Sequence, residues 1–205
     1  TDNFKGVTLS TASIQWKWPS VAGVDGYYLY SSSTAAIVTV SSNTSYYIDS
    51  GLRANKAYTR WLAPYTGAAT GTASQHITKY THALPPDSFM LSSVTATSAY
   101  MEWQYSTATA YAIEGSTNGG ASYYRIRDSF VPWQTVKLMS NRSYRIRIGA
   151  ISGDNELSPG YYSSVQLATP TPLGAAGGVA SPGYACASAD PPDSLPVTSR
   201  AVTWK

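Results

Sequence analysis

The chain has 205 residues, of which 12% are charged, 43% hydrophobic and 13% aromatic, with 17 Tyr and a formal net charge of +3. So many aromatics beside so few charges exclude a disordered chain, and so small a charge without a dense basic stripe argues against nucleic acid as a partner. A single Cys, Cys186, excludes an intrachain disulfide, and no apolar run approaches the roughly 20 residues of a membrane span.

The first unit, residues 1–83, opens at Asn3-Phe4. Ile14, Trp16 and Trp18 alternate with Gln15 and Lys17, the pattern of a strand with one buried face. Pro19 and the Ala22-to-Gly26 loop end it, and Tyr27-Tyr28-Leu29-Tyr30 begins the next strand. Further strands are predicted over 36–40, 45–49, 58–63 and 74–80, with Tyr65-to-Gly71 as a flexible hairpin loop. No segment carries a helical period.

The second unit, residues 84–170, repeats this order. Tyr100-Met101-Glu102-Trp103 matches Ser13-Ile14-Gln15-Trp16, and Tyr111 and Ile113 match Tyr27 and Leu29. Asn118-Gly119-Gly120 supplies residues that accept positive φ and close a hairpin. Later strands are expected over 123–127, 134–138, 144–151 and 163–168. Arg125, Arg127, Arg142, Arg145 and Arg147 read as outward-facing strand positions. Leu52 to Tyr58 aligns with Leu138 to Tyr144 at the same spacing, with Asn55 and Asn141 at one shared turn position. This is the sequence form of a tyrosine corner, where the ring packs inside and the hydroxyl bonds upstream backbone.

Residues 171–190 are rich in Gly, Ala, Ser and Pro, which is linker composition; Cys186 lies there as an unpaired thiol or an interchain disulfide partner. Pro191-Pro192-Asp193-Ser194 then repeats Pro85-Pro86-Asp87-Ser88, and Ala201-Val202-Thr203-Trp204 is a third Trp-ended strand. Residues 191–205 are the first strands of a third repeat, or a tail donated to another copy through Val202 and Trp204 by strand addition.

With these residues in place, the chain resembles tandem fibronectin type III domains, in particular those of bacterial secreted and surface proteins. Trp16 and Trp103, Tyr27 and Tyr111, the two Leu-to-Tyr corners and the Thr-rich strand running into Pro170 carry the resemblance. It implies an all-β fold: two immunoglobulin-like sandwiches in tandem plus a partial third repeat, without disulfides. The core is expected to hold Trp16, Tyr27, Leu29, Leu52, Tyr58, Trp103, Tyr111, Ile113, Leu138 and Tyr144. One departure is Arg60, which falls where the second repeat has Ile146; a bulge that turns Trp61 inward would accommodate it. The Arg-Gly-Asp tripeptide of integrin-binding members is absent.

No catalytic, cofactor or metal set assembles. His76 and His82 read as surface or linker residues, and Asp49, Asp87, Asp128, Asp154 and Glu156 are dispersed rather than paired. Asn43-Thr44-Ser45 and Asn141-Arg142-Ser143 match the glycosylation sequon. The expected function is a non-catalytic extracellular or cell-surface spacer or adhesion module that can build a filament through its tail. The alternative is a carbohydrate- or protein-binding accessory module of a secreted enzyme, using Tyr123, Tyr124, Phe130 and Trp133 as its surface. Expected partners are other protein domains, copies of the chain itself, or carbohydrate, with neither nucleic acid nor membrane insertion.

Overall fold

The structure is a computed structural model and describes residues 3–31 and 35–169. The expected third repeat, with Val202, Trp204 and Cys186, lies outside these residues. Among the described residues all regular structure is strand. The first unit contains β1 (Lys5–Thr8), β2 (Ser13–Lys17), β3 (Gly26–Tyr30), β4 (Ala36–Ser41), β5 (Tyr46–Ser50), β6 (Ala57–Thr66), β7 (Ala69–Thr70) and β8 (Ile77–Tyr80). The second contains β9 (Asp87–Val94), β10 (Ser98–Gln104), β11 (Ala110–Ser116), β12 (Tyr124–Ser129), β13 (Trp133–Lys137), β14 (Ser143–Ile151) and β15 (Leu157–Ala168).

Pairing is antiparallel throughout. One sheet of the first unit runs β1-β2-β5, and the other runs β4-β3-β6 with β7 and β8 both on β6. The second unit repeats the plan as β9-β10-β13 and β12-β11-β14-β15. Each unit has a core of its own between its sheets. Phe4, Ile14, Trp16, Trp18, Tyr27, Leu29 and Leu62 form the first, with Leu52 and Tyr58 partly buried against it. Trp103, Tyr111, Ile113, Leu138, Tyr144 and the isoleucines Ile146 and Ile148 belong to the second.

The structure corrects which tryptophans correspond. Trp18 packs on Tyr27 at 5.6 Å and on Phe4 at 6.4 Å, while Trp103 packs on Tyr111 at 5.3 Å and on Phe89 at 6.3 Å. The Tyr27 hydroxyl accepts from the Val21 amide at 2.7 Å, and the Tyr111 hydroxyl from the Ser106 amide at 2.9 Å. Trp103 is thus the counterpart of Trp18, and Met101 stands in the place of Trp16. Residues two apart on a strand share one face, so alternation alone cannot choose between Trp16 and Trp18.

Both corners are built alike. The Tyr58 hydroxyl accepts from the Arg53 amide at 2.8 Å and the Tyr144 hydroxyl from the Met139 amide at 2.9 Å. Asn55 and Asn141 take φ of 50° and 54°, the left-handed region that Asn tolerates best among residues with a side chain. A threonine closes each corner from the end of the last strand. Thr81 Oγ1 donates to the Arg53 carbonyl and accepts from the Lys56 amide, as Thr169 Oγ1 does with the Met139 carbonyl and the Arg142 amide.

Two further expectations are corrected. The 65–71 segment is a tight hairpin in which Tyr65 pairs with Thr70 and Thr66 with Ala69, leaving Gly67 and Ala68 as the turn. Gly67 has φ of 57°, which closes so short a connection without a Cβ clash. Arg60 causes no bulge: β6 keeps an unbroken register with β3, so Arg60 points inward and Trp61 outward. Asp49 makes this tolerable. Arg60 Nε and Nη2 donate to Asp49 Oδ2 at 2.9 and 2.7 Å, and Nη1 donates to the Thr59 carbonyl.

Candidate functional site

A dense polar cluster joins the two units. It starts from the first corner, where Asn55 sits with its amide directed at the second unit. Asn55 Oδ1 accepts from the Gly153 amide at 2.7 Å, and its Nδ2 donates to the Thr107 carbonyl and to Thr109 Oγ1. At the end of β8, Lys79 Nζ lies 3.0 Å from Asp154 Oδ2 and 2.5 Å from Glu156 Oε1. The link between the units is itself held: the Ala83 amide donates to Ser158 Oγ at 3.0 Å and the Leu84 amide to Thr107 Oγ1 at 2.8 Å. Gly153 lies so close to the Tyr80 ring that a Cβ there would collide with it.

The charges of this cluster are tuned by that packing. Burial opposes the Lys79 charge, but the hydrogen bonds it donates to Glu156 and Asp154 and their negative charge outweigh it and raise its pKa. Burial likewise opposes ionisation of Asp154, yet the Ser152 hydroxyl and Lys79 hold its carboxyl below the usual value. His82 lies in the link between the units, as the sequence suggested, but at 6% exposed it is buried rather than on the surface. Desolvation lowers its pKa against the opposing pull of Glu156 and Asp154.

The four aromatics proposed as one binding surface fall on two sheets. Tyr123 lies beside β12 with the Arg147 guanidinium 3.8 Å above its ring, and Arg147 also pairs with Glu114 at 2.7 Å. Tyr124, 47% exposed, opens β12; burial and the neighbouring Tyr144 raise its hydroxyl pKa. Phe130, at 76% exposed, stands in the connection to β13. Trp133 is on the opposite sheet, across from Glu102. Arg125, Arg127, Arg142 and Arg145 are exposed and Arg147 half-buried.

Sequence reasoning missed a column of rings on the outer face of β3 and β6. Tyr28 stacks on Tyr65 at 4.4 Å, Tyr30 on Trp61 at 5.7 Å, and Trp61 on His76 at 4.1 Å, while Tyr28 meets Tyr30 edge-on at 6.3 Å. The signal was the alternation of Tyr28 and Tyr30 with inward Tyr27 and Leu29.

Among the described residues no group of three His, Cys, Asp or Glu could hold a metal ion, and no helix is long and apolar enough to cross a membrane. No family model and no curated protein matches the chain. Among solved structures, a two fibronectin type III domain segment from chicken tenascin matches with a TM-score of 0.47 at 22% identity, over 82% of this chain and 98% of that one. The FN1-FN3 domains of chicken CNTN1 match with a TM-score of 0.46 at 16% identity, over 82% of this chain and 66% of that one. By its strand order, its paired sheets and its two tyrosine corners, the chain is in fold an all-β tandem of fibronectin type III-like sandwiches.

Proposed function

We propose that the chain is a non-catalytic structural or adhesion module, a stiff spacer that holds its two sandwiches in one fixed relation at an extracellular or cell-surface site. The junction between the units carries this reading. Lys79 bridges to two carboxylates, Asn55 spends both ends of its amide on the second unit, and Ser158 and Thr107 hold the link's own amides. A flexible tether would leave such groups to water. Each neutral bond contributes about 0.5–1.5 kcal/mol, and a part-buried ion pair adds a contribution of similar size, so several together favour one arrangement.

Chemical denaturation tests the reading. A coupled pair unfolds in one cooperative transition, whereas two separated transitions matching the isolated units would contradict coupling. Filament formation is a further part of the proposal and rests on the sequence of residues 171–205. Deleting residues 173–205 should abolish any self-association seen by sedimentation; unchanged association would remove the tail from the proposal.

A further inference from the structure

On the outer face of the β9-β10-β13 sheet one carboxylate stands alone. Every other described acidic side chain has a partner. Asp49 pairs with Arg60, Glu114 with Arg147, Asp128 with Arg125, and Asp154 and Glu156 with Lys79. Asp25 accepts from the Gly67 amide and Asp87 from the Ser88 amide. Glu102 has no ion pair or hydrogen bond from its side chain to any described residue, although it is half-buried. Its position is fixed by register: Trp133 lies directly opposite on β13, and Met90 directly opposite on β9.

The surroundings of Glu102 are apolar and concave. Trp133 and Met90 are each 50% exposed, and Tyr100 stacks beside Trp133 at 6.5 Å. Trp133, Met90 and Glu102, with Ser88, Trp103, Gln104 and Pro132, border a groove of about 340 Å³. Ser88 holds φ of 52° at its rim. A carboxylate flanked by a thioether and an indole loses part of its hydration without gaining a counter-charge from any described residue. The group that satisfies all three walls is a weakly hydrated cation on an aliphatic stem, which pairs with the carboxylate while its flat face lies on the indole.

We propose that this groove binds an arginine side chain presented by a partner protein. Arginine fits better than lysine because the guanidinium is planar, stacks on aromatic rings and sheds water more readily than an ammonium. The Glu102 carboxylate receives the guanidinium hydrogens, Trp133 covers one face, and Met90 packs along the stem. The proposal stands apart from the spacer reading, since a coupled or an uncoupled pair of sandwiches would carry the same groove.

The test is an NMR titration of the full chain with acetyl-Gly-Arg-Gly-amide, read at the indole N–H of Trp133, which is assigned by its loss in Trp133→Phe. Acetyl-Gly-citrulline-Gly-amide has the same shape without the charge and serves as the control. The arginine peptide should move the Trp133 signal and bind about fivefold more tightly than the citrulline peptide, and Glu102→Gln should remove that advantage. Unmoved methyl signals of Ile113 and Ile148, buried in the core of the second unit away from the groove, show that the variant keeps its fold. Equal affinity for the two peptides, full retention of the advantage in Glu102→Gln, or no movement of Trp133 with the arginine peptide would each overturn the proposal.

Discussion

Arg60 and Asp49 meet 2.7 Å apart inside the first sandwich, with side chains only 10% exposed, at the place where the second sandwich has Ile146 and Val136. One fold thus fills the same inter-sheet position in two ways. Breaking a buried pair strands the surviving charge and costs about 3–5 kcal/mol, whereas replacing both partners with apolar side chains is often neutral or stabilising. Asp49→Ala should therefore lower stability by about 3–5 kcal/mol, and Asp49→Val with Arg60→Ile should restore it. Urea denaturation of the three proteins measures both effects; a double variant no better than the single one would show that the pair does more than fill space.

Trp103 and Trp133 separate core from surface in the second unit. Trp103 is 5% exposed and its Nε1 is buried without a hydrogen-bond partner. Trp103→Ala should cost about 3–5 kcal/mol through the cavity it leaves. Trp103→Phe should cost distinctly less than the alanine change, because the ring it removes carries a buried donor that gains nothing. Trp133→Ala should cost under about 1 kcal/mol. Thermal denaturation of the three variants ranks them, and equal losses at the two positions would reverse the inside and outside assignment.

The role of Asn55 can be isolated from its backbone. Glycine also accepts positive φ, so Asn55→Gly keeps the corner while removing the bonds to Gly153, Thr107 and Thr109. Hydrogen exchange should speed up at Gly153 and across 107–109 while the strands of both cores keep their protection. Asn141→Gly makes the same change at the second corner and should leave those amides unaffected.

Acid should loosen the junction before it unfolds either unit. His82 is held below its ordinary pKa of 6.5 mainly by burial, so the folded junction resists a proton that the unfolded chain accepts, and stability falls as pH drops from 6.5 toward the lowered value. Asp154, also lowered, contributes stability above the ordinary carboxylate range and loses it as pH falls through its folded value. Lys79 is raised, so its contribution is full below its ordinary value and disappears only as pH rises through the folded one. Protection of the Gly153 amide against pH should decline in two acid steps, and His82→Gln should remove the step nearer neutrality.

Much of this was legible in the sequence because it depends on local pattern. Period-two alternation located most of the strands, though not β1, β7 or β9, and the Leu-to-Tyr spacing with Asn55 and Asn141 located both corners. What escaped depends on pairing across the fold. Asp49 and Arg60 sit on different sheets, so Arg60 looked like a disruption until its counter-charge was found. His82 looked exposed because it lies between units, where burial comes from a neighbour rather than from its own strand. Tyr123 and Trp133 are close in sequence, yet β12 and β13 belong to opposite sheets and carry them apart. Asn55 was read as a turn residue, which it is, but its side chain also reaches the next unit, and nothing in its own repeat announces that.

The most direct test of a stiff spacer is the distribution of distances between one spin label on each sandwich, placed at exposed Thr39 and Thr135 after Cys186→Ser, measured by pulsed electron resonance. A single narrow distribution is expected for the wild-type junction, broadening when Asn55→Gly is combined with Lys79→Ala. A distribution already broad with the junction intact, and unchanged by those two substitutions, would contradict it.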